Sequence, residues 1–338
     1  MENMLPPIIA LQENAEEQSK DFIPKTFNDY LGQKELKEKL HIWTYTAQQR
    51  NEPLDHLLLF GPPGLGKTTL ATIMAHIMNV NIKICSGPML ERSGDIVALV
   101  SSLDPRDILF IDEIHRMPAI VEEVLYTAME QYRVDIIIGQ GAGAKSVNLP
   151  LNPFTLIGAT TKSGMISAPL RSRFGITERI DFYTPEDLQA IIKQNAHFLQ
   201  LSITDEAALM LAHCSRGTPR IAKKLTRRVR DIAQFNQKTI VDTTLASETL
   251  HFLGVDHEGL TRVDHMLLKT LVVTFRGGPT GLETLASMIG EDKDTIEEVY
   301  EPFLMRIGYI EKTARGRQIP ATRLPFLQQR FIGQNTLL

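Results

Sequence analysis

Gly61-Pro62-Pro63-Gly64-Leu65-Gly66-Lys67-Thr68 follows the apolar run Leu57–Phe60 and precedes a helical pattern that extends to Met78. The octet fits G-x-x-x-x-G-K-[ST]. Its glycines let backbone N–H groups curl around phosphates, and the helix behind it adds the positive end of its dipole. Lys67 is expected to reach the β- and γ-phosphates of ATP, and the Thr68 hydroxyl to ligate Mg²⁺. Three more apolar runs, Val80–Cys85, Ile108–Ile111 and Phe154–Gly158, alternate with helical patterns. They read as strands buried on both faces, so the fold class is α/β with a parallel sheet.

The run Ile108–Ile111 ends in Asp112-Glu113, forty-five residues beyond Lys67. Asp112 can hold Mg²⁺ through water, and Glu113 can orient or deprotonate an attacking water. A loop that cradles phosphates and a strand that ends in acids together point to nucleotide hydrolysis rather than binding alone.

Beyond Asp181 the pattern turns helical. Thr184-Pro185-Glu186-Asp187 offers an N-cap, a proline at the first helical position and a capping box. Thr204-Asp205-Glu206 starts a second helix, Pro219 can open a third and Asp242 can cap a fourth. Gly254 to Gly259 reads as a connector. Helical stretches over 263–276, 281–289 and 293–306 follow, then strand-like pieces Tyr309–Thr313 and Arg317–Thr322, which is the order of a winged helix. The length of 338 residues suggests about two domains. The patterning divides more finely: a loose arm (1–20), a nucleotide-hydrolysing α/β domain (21–180), a small helical domain (181–254), a winged helix (255–332) and a tail (333–338). Within the α/β domain, alternation of Val134, Ile136 and Ile138 and of Val147, Leu149 and Leu151 predicts an inserted hairpin over 134–151 with a glycine-rich tip.

These segments resemble the AAA+ ATPases over residues 22–332. Within that superfamily Asp55–Leu58, Leu109–His115, Glu122–Tyr126, Gly158–Thr161, Ser172–Ile176, Gly217–Ala222 and Arg315–Arg317 are similar to the RuvB family of Holliday-junction branch-migration motors. The resemblance implies an ATP-driven motor that moves duplex arms of a four-way junction through a homo-hexameric ring. It implies RuvA, docked on hairpin 134–151, and RuvC in a larger complex as partners. It makes Thr161 the first sensor, with Thr160 beside it. Arg173 becomes the finger acting on a neighbour's γ-phosphate, and Arg220 the second sensor. For ATP or ADP it implies contacts from Phe22, Ile23, Gly64, Gly66, Lys67, Thr68, Thr69, Glu130, Gln131, Tyr132, Tyr183, Arg173 and Arg220. The family usually has Arg where this chain has Ile23, and an acid where it has Gln131.

The net charge is −4, which as a whole-chain sum does not suggest a nucleic-acid partner. By segment it divides. Residues 302–338 carry six basic residues against one acidic, a net of +5; residues 256–301 carry four against ten, a net of −6. The helix beginning at Lys293 holds Asp294, Glu297, Glu298 and Glu301, so phosphates would repel it. The wing, with Lys312, Arg315 and Arg317, is the expected contact to the DNA backbone, without sequence preference. The family comparison points to Lys312 and Arg317. Residues 213–238 count a further eight basic against one acidic, and are assigned to nucleotide sensing and subunit contacts.

Cys85 and Cys214 stand alone, with no metal-ligand spacing, and neither a leader pattern nor a membrane-length apolar run is present. A soluble, cytoplasmic, nucleoid-associated protein is expected. The competing classes are a protein-remodelling AAA+ motor and a non-catalytic ATP-gated clamp-loader-type subunit. Ser86–Asp95, where an unfoldase carries an aromatic pore loop, has no aromatic residue, and Lys67, Asp112, Glu113, Arg173 and Arg220 are all present.

Overall fold

The computed structural model describes residues 21–138 and 145–332; the expected arm, hairpin tip (139–144) and tail lie outside the described residues. Two compact units emerge. One is Ile23–Phe182; the other joins Tyr183–Leu338 to the segment ending at Phe22.

The first unit is built on strands β1 (Leu57–Phe60), β2 (Ile82–Ser86), β3 (Ile108–Asp112), β6 (Thr155–Thr160) and β7 (Ile176–Arg179). They form one parallel sheet in the order β2-β3-β6-β1-β7. Leu57, Leu58 and Leu59 are fully buried, as a strand covered on both faces requires. β6 runs two residues past the expected Gly158, because the Gly61 N–H donates to the Thr160 carbonyl and extends the ladder. β2 starts at Ile82 rather than Val80. β7 is not foreseen by the apolar pattern: it is an edge strand whose residues alternate in exposure.

β4 (Arg133–Ile138) and β5 (Lys145–Pro150) form the inserted antiparallel hairpin, pairing Val134 with Leu149 and Ile136 with Val147. Its apolar stripe is not buried as a whole. Val134 and Leu149 join the core, whereas Val147 is exposed.

In the second unit, helices Pro185–Phe198, Asp205–His213, Pro219–Phe235 and Thr243–Phe252 form the lid. Thr184, Thr204 and Asp242 each accept a backbone N–H at the helix start, as their sequence context predicts. Two-residue strands β8 (Ser202–Ile203) and β9 (Ile240–Val241) pair in parallel between them, too short to leave a periodic signal.

Three helical stretches and a hairpin follow in the expected order. The stretches are Arg262–Lys269 with a wide turn Thr270–Thr274, Leu282–Ile289, and Lys293–Thr295 running through Ile296–Tyr300 into Glu301–Arg306. The wing strands β10 (Glu311–Thr313) and β11 (Gly316–Gln318) are shorter than the sequence suggests. Tyr309, Ile310 and Ile319 leave the hairpin and pack into the core instead. A further helix, Leu324–Ile332, buries Leu327 against that core and was not evident from the sequence.

The connector is tightly held. Asp256 accepts hydrogen bonds from the N–H groups of Glu258 and Leu260, and pairs with His265 at 3.0 Å and Arg330 at 2.6 Å. Glu258 accepts from Tyr309 and pairs with Arg330. Arg216, in the turn beyond the lid's second helix, pairs with fully buried Asp264 at 2.9 Å and lies over the Phe303 ring at 4.5 Å.

Candidate functional site

The phosphate loop sits at the carboxyl edge of β1. Gly64 and Gly66 have φ of 78° and 96°, a region that favours glycine. A Cβ on Gly66 would also lie 2.9 Å from the Tyr30 hydroxyl. That hydroxyl donates to the Leu65 carbonyl and fixes the loop from behind. Lys67 opens the helix Lys67–Met78, and its ammonium spans the loop, donating to the Gly61 and Pro62 carbonyls at 2.9 Å each.

β3 and β6 end at the same sheet edge, so Asp112, Glu113, Thr160 and Thr161 face the loop's side of the sheet. Glu113 adopts a left-handed backbone (φ 48°), uncommon for a residue with a side chain. Its N–H donates to Asp112 Oδ1, and its carboxylate pairs with Arg116 at 2.9 Å. Gly87 permits this bend: a Cβ there would lie 2.4 Å from the Glu113 carbonyl oxygen. Thr160 is fully buried, its hydroxyl shared with His115 Nδ1 at 2.9 Å and accepting from the Lys162 N–H. Thr161, next along, is half-buried.

Magnesium fits the donors. The Thr68 hydroxyl and Asp112 Oδ2 enter no hydrogen bond among the described residues. Both are hard oxygens of the kind Mg²⁺ prefers. No cluster of three His, Cys, Asp or Glu that could hold another metal occurs among the described residues.

A second group gathers at the opposite sheet edge. Tyr132 packs edge-on to Phe154, with ring centroids 5.9 Å apart, and beside His56; those two residues lead into β6 and β1. His56 Nδ1 accepts from the Leu156 N–H and its other nitrogen donates to the Met129 carbonyl; burial lowers its pKa. Glu130, near the end of the helix Ala119–Gln131, pairs with Arg173 at 3.0 Å. The Arg173 Nε is buried without a hydrogen-bond partner among the described residues. The four residues of β1 separate this group from the phosphate loop by about 13 Å. Glu130, Gln131, Tyr132 and Arg173 are therefore together, and apart from Lys67 of the same chain.

The sequence missed what holds Arg173. It caps the short helix Ala168–Ser172, whose N-cap is Ser167. Ser167 donates to Glu122 at 2.6 Å and lies 2.8 Å from the Tyr126 hydroxyl, which also donates to Glu122. Helix Ala119–Gln131 thus grips the segment Ser167–Arg173 at both ends. Ser167-Ala168-Pro169 carries the signal of a capped helix with an early proline, and could have been read.

On the lid, Phe22 and its neighbour are clasped. The Phe22 N–H donates to buried Asn195, whose amide donates to Asp21; Lys223 donates to the Phe22 carbonyl, and Arg227 pairs with Asp21. Ile23 is exposed. Buried Tyr183 donates its N–H to the Gly217 carbonyl and accepts from Arg306. Arg220, in the first turn of Pro219–Phe235, is exposed and enters no ion pair among the described residues.

The wing departs from the charge reading. Lys312 lies 3.0 Å from both Glu297 and Glu301, and Arg317 forks onto Glu301. The acidic helix and the basic wing, read as opposed surfaces, are largely paired with each other. Arg315 alone of the three cations is exposed and in no ion pair among the described residues.

Three family profiles match in succession: the Holliday junction DNA helicase RuvB P-loop domain over residues 22–180, the RuvB AAA lid domain over 183–256 and the RuvB C-terminal winged helix domain over 257–328. The Holliday junction branch migration complex subunit RuvB of Ligilactobacillus salivarius is 52% identical over 296 residues, 88% of each chain. That of Leuconostoc mesenteroides is 52% identical over 308 residues, 90% of this chain and 88% of the other. The structure of the Thermotoga maritima RuvB Holliday junction branch migration motor superposes with a TM-score of 0.82 at 45% identity, over 90% of this chain and 98% of that one.

Proposed function

The chain belongs to the RuvB family, and from that premise we infer how its residues work as the P-loop ATPase and motor subunit of the Holliday junction branch migration complex. Mg²⁺, when bound, supplies a Lewis acid that neutralises charge on the β- and γ-phosphates. Thr68 and Asp112 hold it, Lys67 draws the γ-phosphate, Glu113 orients the attacking water and Thr161 aligns it. Gly64, Gly66 and Thr69 cradle the phosphates. Phe22 and Ile23 flank the adenine, and Tyr183 and Arg220 complete the nucleotide contacts.

One observation carries the ring. Glu130, Tyr132 and Arg173 cluster at the sheet edge away from Lys67, held by Glu122, Tyr126 and Ser167. A finger so placed serves the nucleotide of a neighbouring copy, which supports a closed homo-oligomer, a hexamer by family analogy. Hairpin 134–151, whose Val147 is exposed, is the surface for RuvA; RuvC joins the larger assembly. The wing meets duplex arms through their phosphates. The place of work is the cytoplasm, on the nucleoid; no helix among the described residues is long and apolar enough to cross a membrane.

A four-way-junction migration assay with and without RuvA tests this reading. Migration requires ATP and Mg²⁺ and rises with RuvA, and Lys67→Ala abolishes it. ATPase activity with no junction movement under any of these conditions refutes the motor.

A further inference from the structure

The antiparallel pairing of β10 with β11 sets Lys312 opposite Arg317. Both meet the acidic helix. Lys312 Nζ bridges Glu297 Oε1 and Glu301 Oε2 at 3.0 Å each. Arg317 Nε lies 2.6 Å from Glu301 Oε1, and its Nη2 lies 3.3 Å from Glu297 Oε1 and from Glu301 Oε2. Two cations and two carboxylates close a cluster with no net charge.

Its members differ in exposure. The Glu301 side chain is 1% exposed and that of Arg317 16%, so this pair is a buried fork. Glu297 and Lys312 are 31% and 41% exposed. A buried carboxylate stripped of its partner is strongly disfavoured, so Arg317 stays on Glu301. The solvated pair exchanges partners at little cost. A backbone phosphate presents to Lys312 what Glu297 already presents, an anionic oxygen at hydrogen-bonding distance.

We propose that Glu297 competes with DNA phosphate for Lys312, and that Glu301 positions Arg317 and with it the wing. The inference rests on the wing being the DNA contact. Arg315 is then the wing's standing charge, and Lys312 a charge that turns from Glu297 to phosphate while its contact with Glu301 persists. Such a contact grips weakly and lets go readily, as a motor that moves along its track requires.

The test is duplex binding by the full chain, with fluorescence anisotropy across a salt series. Glu297→Gln removes the more exposed of the two carboxylates on Lys312 without removing bulk, and leaves Lys312 only Glu301, which Arg317 already neutralises. It tightens binding several-fold and steepens the slope of log K against log salt, by up to about 0.9, the increment for one phosphate. Glu297→Asp, which keeps the charge, stays near wild type. Arg315→Ala weakens binding and flattens the slope by a similar increment. Unchanged or weaker binding by Glu297→Gln with an unchanged slope, while Arg315→Ala still weakens it, overturns the competitor role and leaves the wing contact standing. An unaffected Arg315→Ala overturns the wing contact itself. Thermal unfolding of each variant shows whether the wing core is intact; Glu301→Gln, which strips the buried fork, lowers the midpoint where Glu297→Gln does not.

Discussion

Thr160 and Thr161 share a side-chain type and sit next to each other at the end of β6, yet the fold gives them different work. Thr160 spends its hydroxyl inside the protein, on His115 and the Lys162 N–H. Replacing it with Val removes both of these buried hydrogen bonds, at a cost of about 1–3 kcal/mol. Thr161→Val removes no such contact, so it lowers ATP turnover with little change in stability or nucleotide affinity. Urea unfolding alongside single-turnover hydrolysis separates the two; equal loss of stability in both variants defeats the assignment. At this scale the sequence was legible wherever a residue type has one use. Spacing alone places Lys67 and Thr68 at the start of their helix and Asp112 at the end of β3. The resemblance favours Thr161; what occupies the Thr160 hydroxyl was not legible, because its partner His115 lies forty-five residues away in the chain.

The helix Ala119–Gln131 does at the level of an element what no single residue does. Near one end Glu122 and Tyr126 fix Ser167, and near the other Glu130 holds Arg173. Glu113 and His115 lie a few residues before it, so the strand end that bears the acids continues into the element that holds Arg173. Ser167→Ala combined with Tyr126→Phe loosens the finger segment while leaving Lys67, Asp112 and Glu113 intact. Such subunits are poor donors of a finger but sound acceptors. Mixed with Lys67→Ala subunits, whose own loop is dead but whose finger is intact, they recover ATPase activity above that of either variant alone. Additive activity at every mixing ratio contradicts a finger acting between subunits. Caps and prolines made the lid helices readable, with Thr184, Thr204 and Asp242 as marked. β7 and the helix Leu324–Ile332 escaped notice. One is an edge strand of mixed polarity, and the other takes its apolar face from a core assembled by earlier helices.

Over the whole molecule, charge was the least legible property. Counting by segment separates a basic tail from an acidic stretch, but folding pairs Arg330 with Asp256 and Glu258, and Lys312 and Arg317 with Glu297 and Glu301. Sequence sums keep the numbers and lose the neighbours. The connector between lid and winged helix shows the consequence for stability. Burial alone would raise the Asp256 carboxyl, but hydrogen bonds from His265 and from the Leu260 and Glu258 N–H groups outweigh it and hold it at about 2. A carboxyl depressed in the folded state stabilises above its unfolded value of 3.8 and loses that contribution as pH falls toward 2. Asp256→Asn therefore costs about 2 kcal/mol near neutrality. Its deficit against wild type in urea narrows between pH 5 and 3, to about half or less; a deficit constant over that range rules the linkage out. The clasp on Phe22 has a different consequence, in the order of folding. Asp21 and Phe22 meet Asn195 and Arg227 across 173 to 206 residues, whereas the lid helices find one another within a single continuous stretch. Contacts so far apart form after local ones. A newly made chain therefore has its lid before its clasp, which must close a loop over the intervening 160 residues.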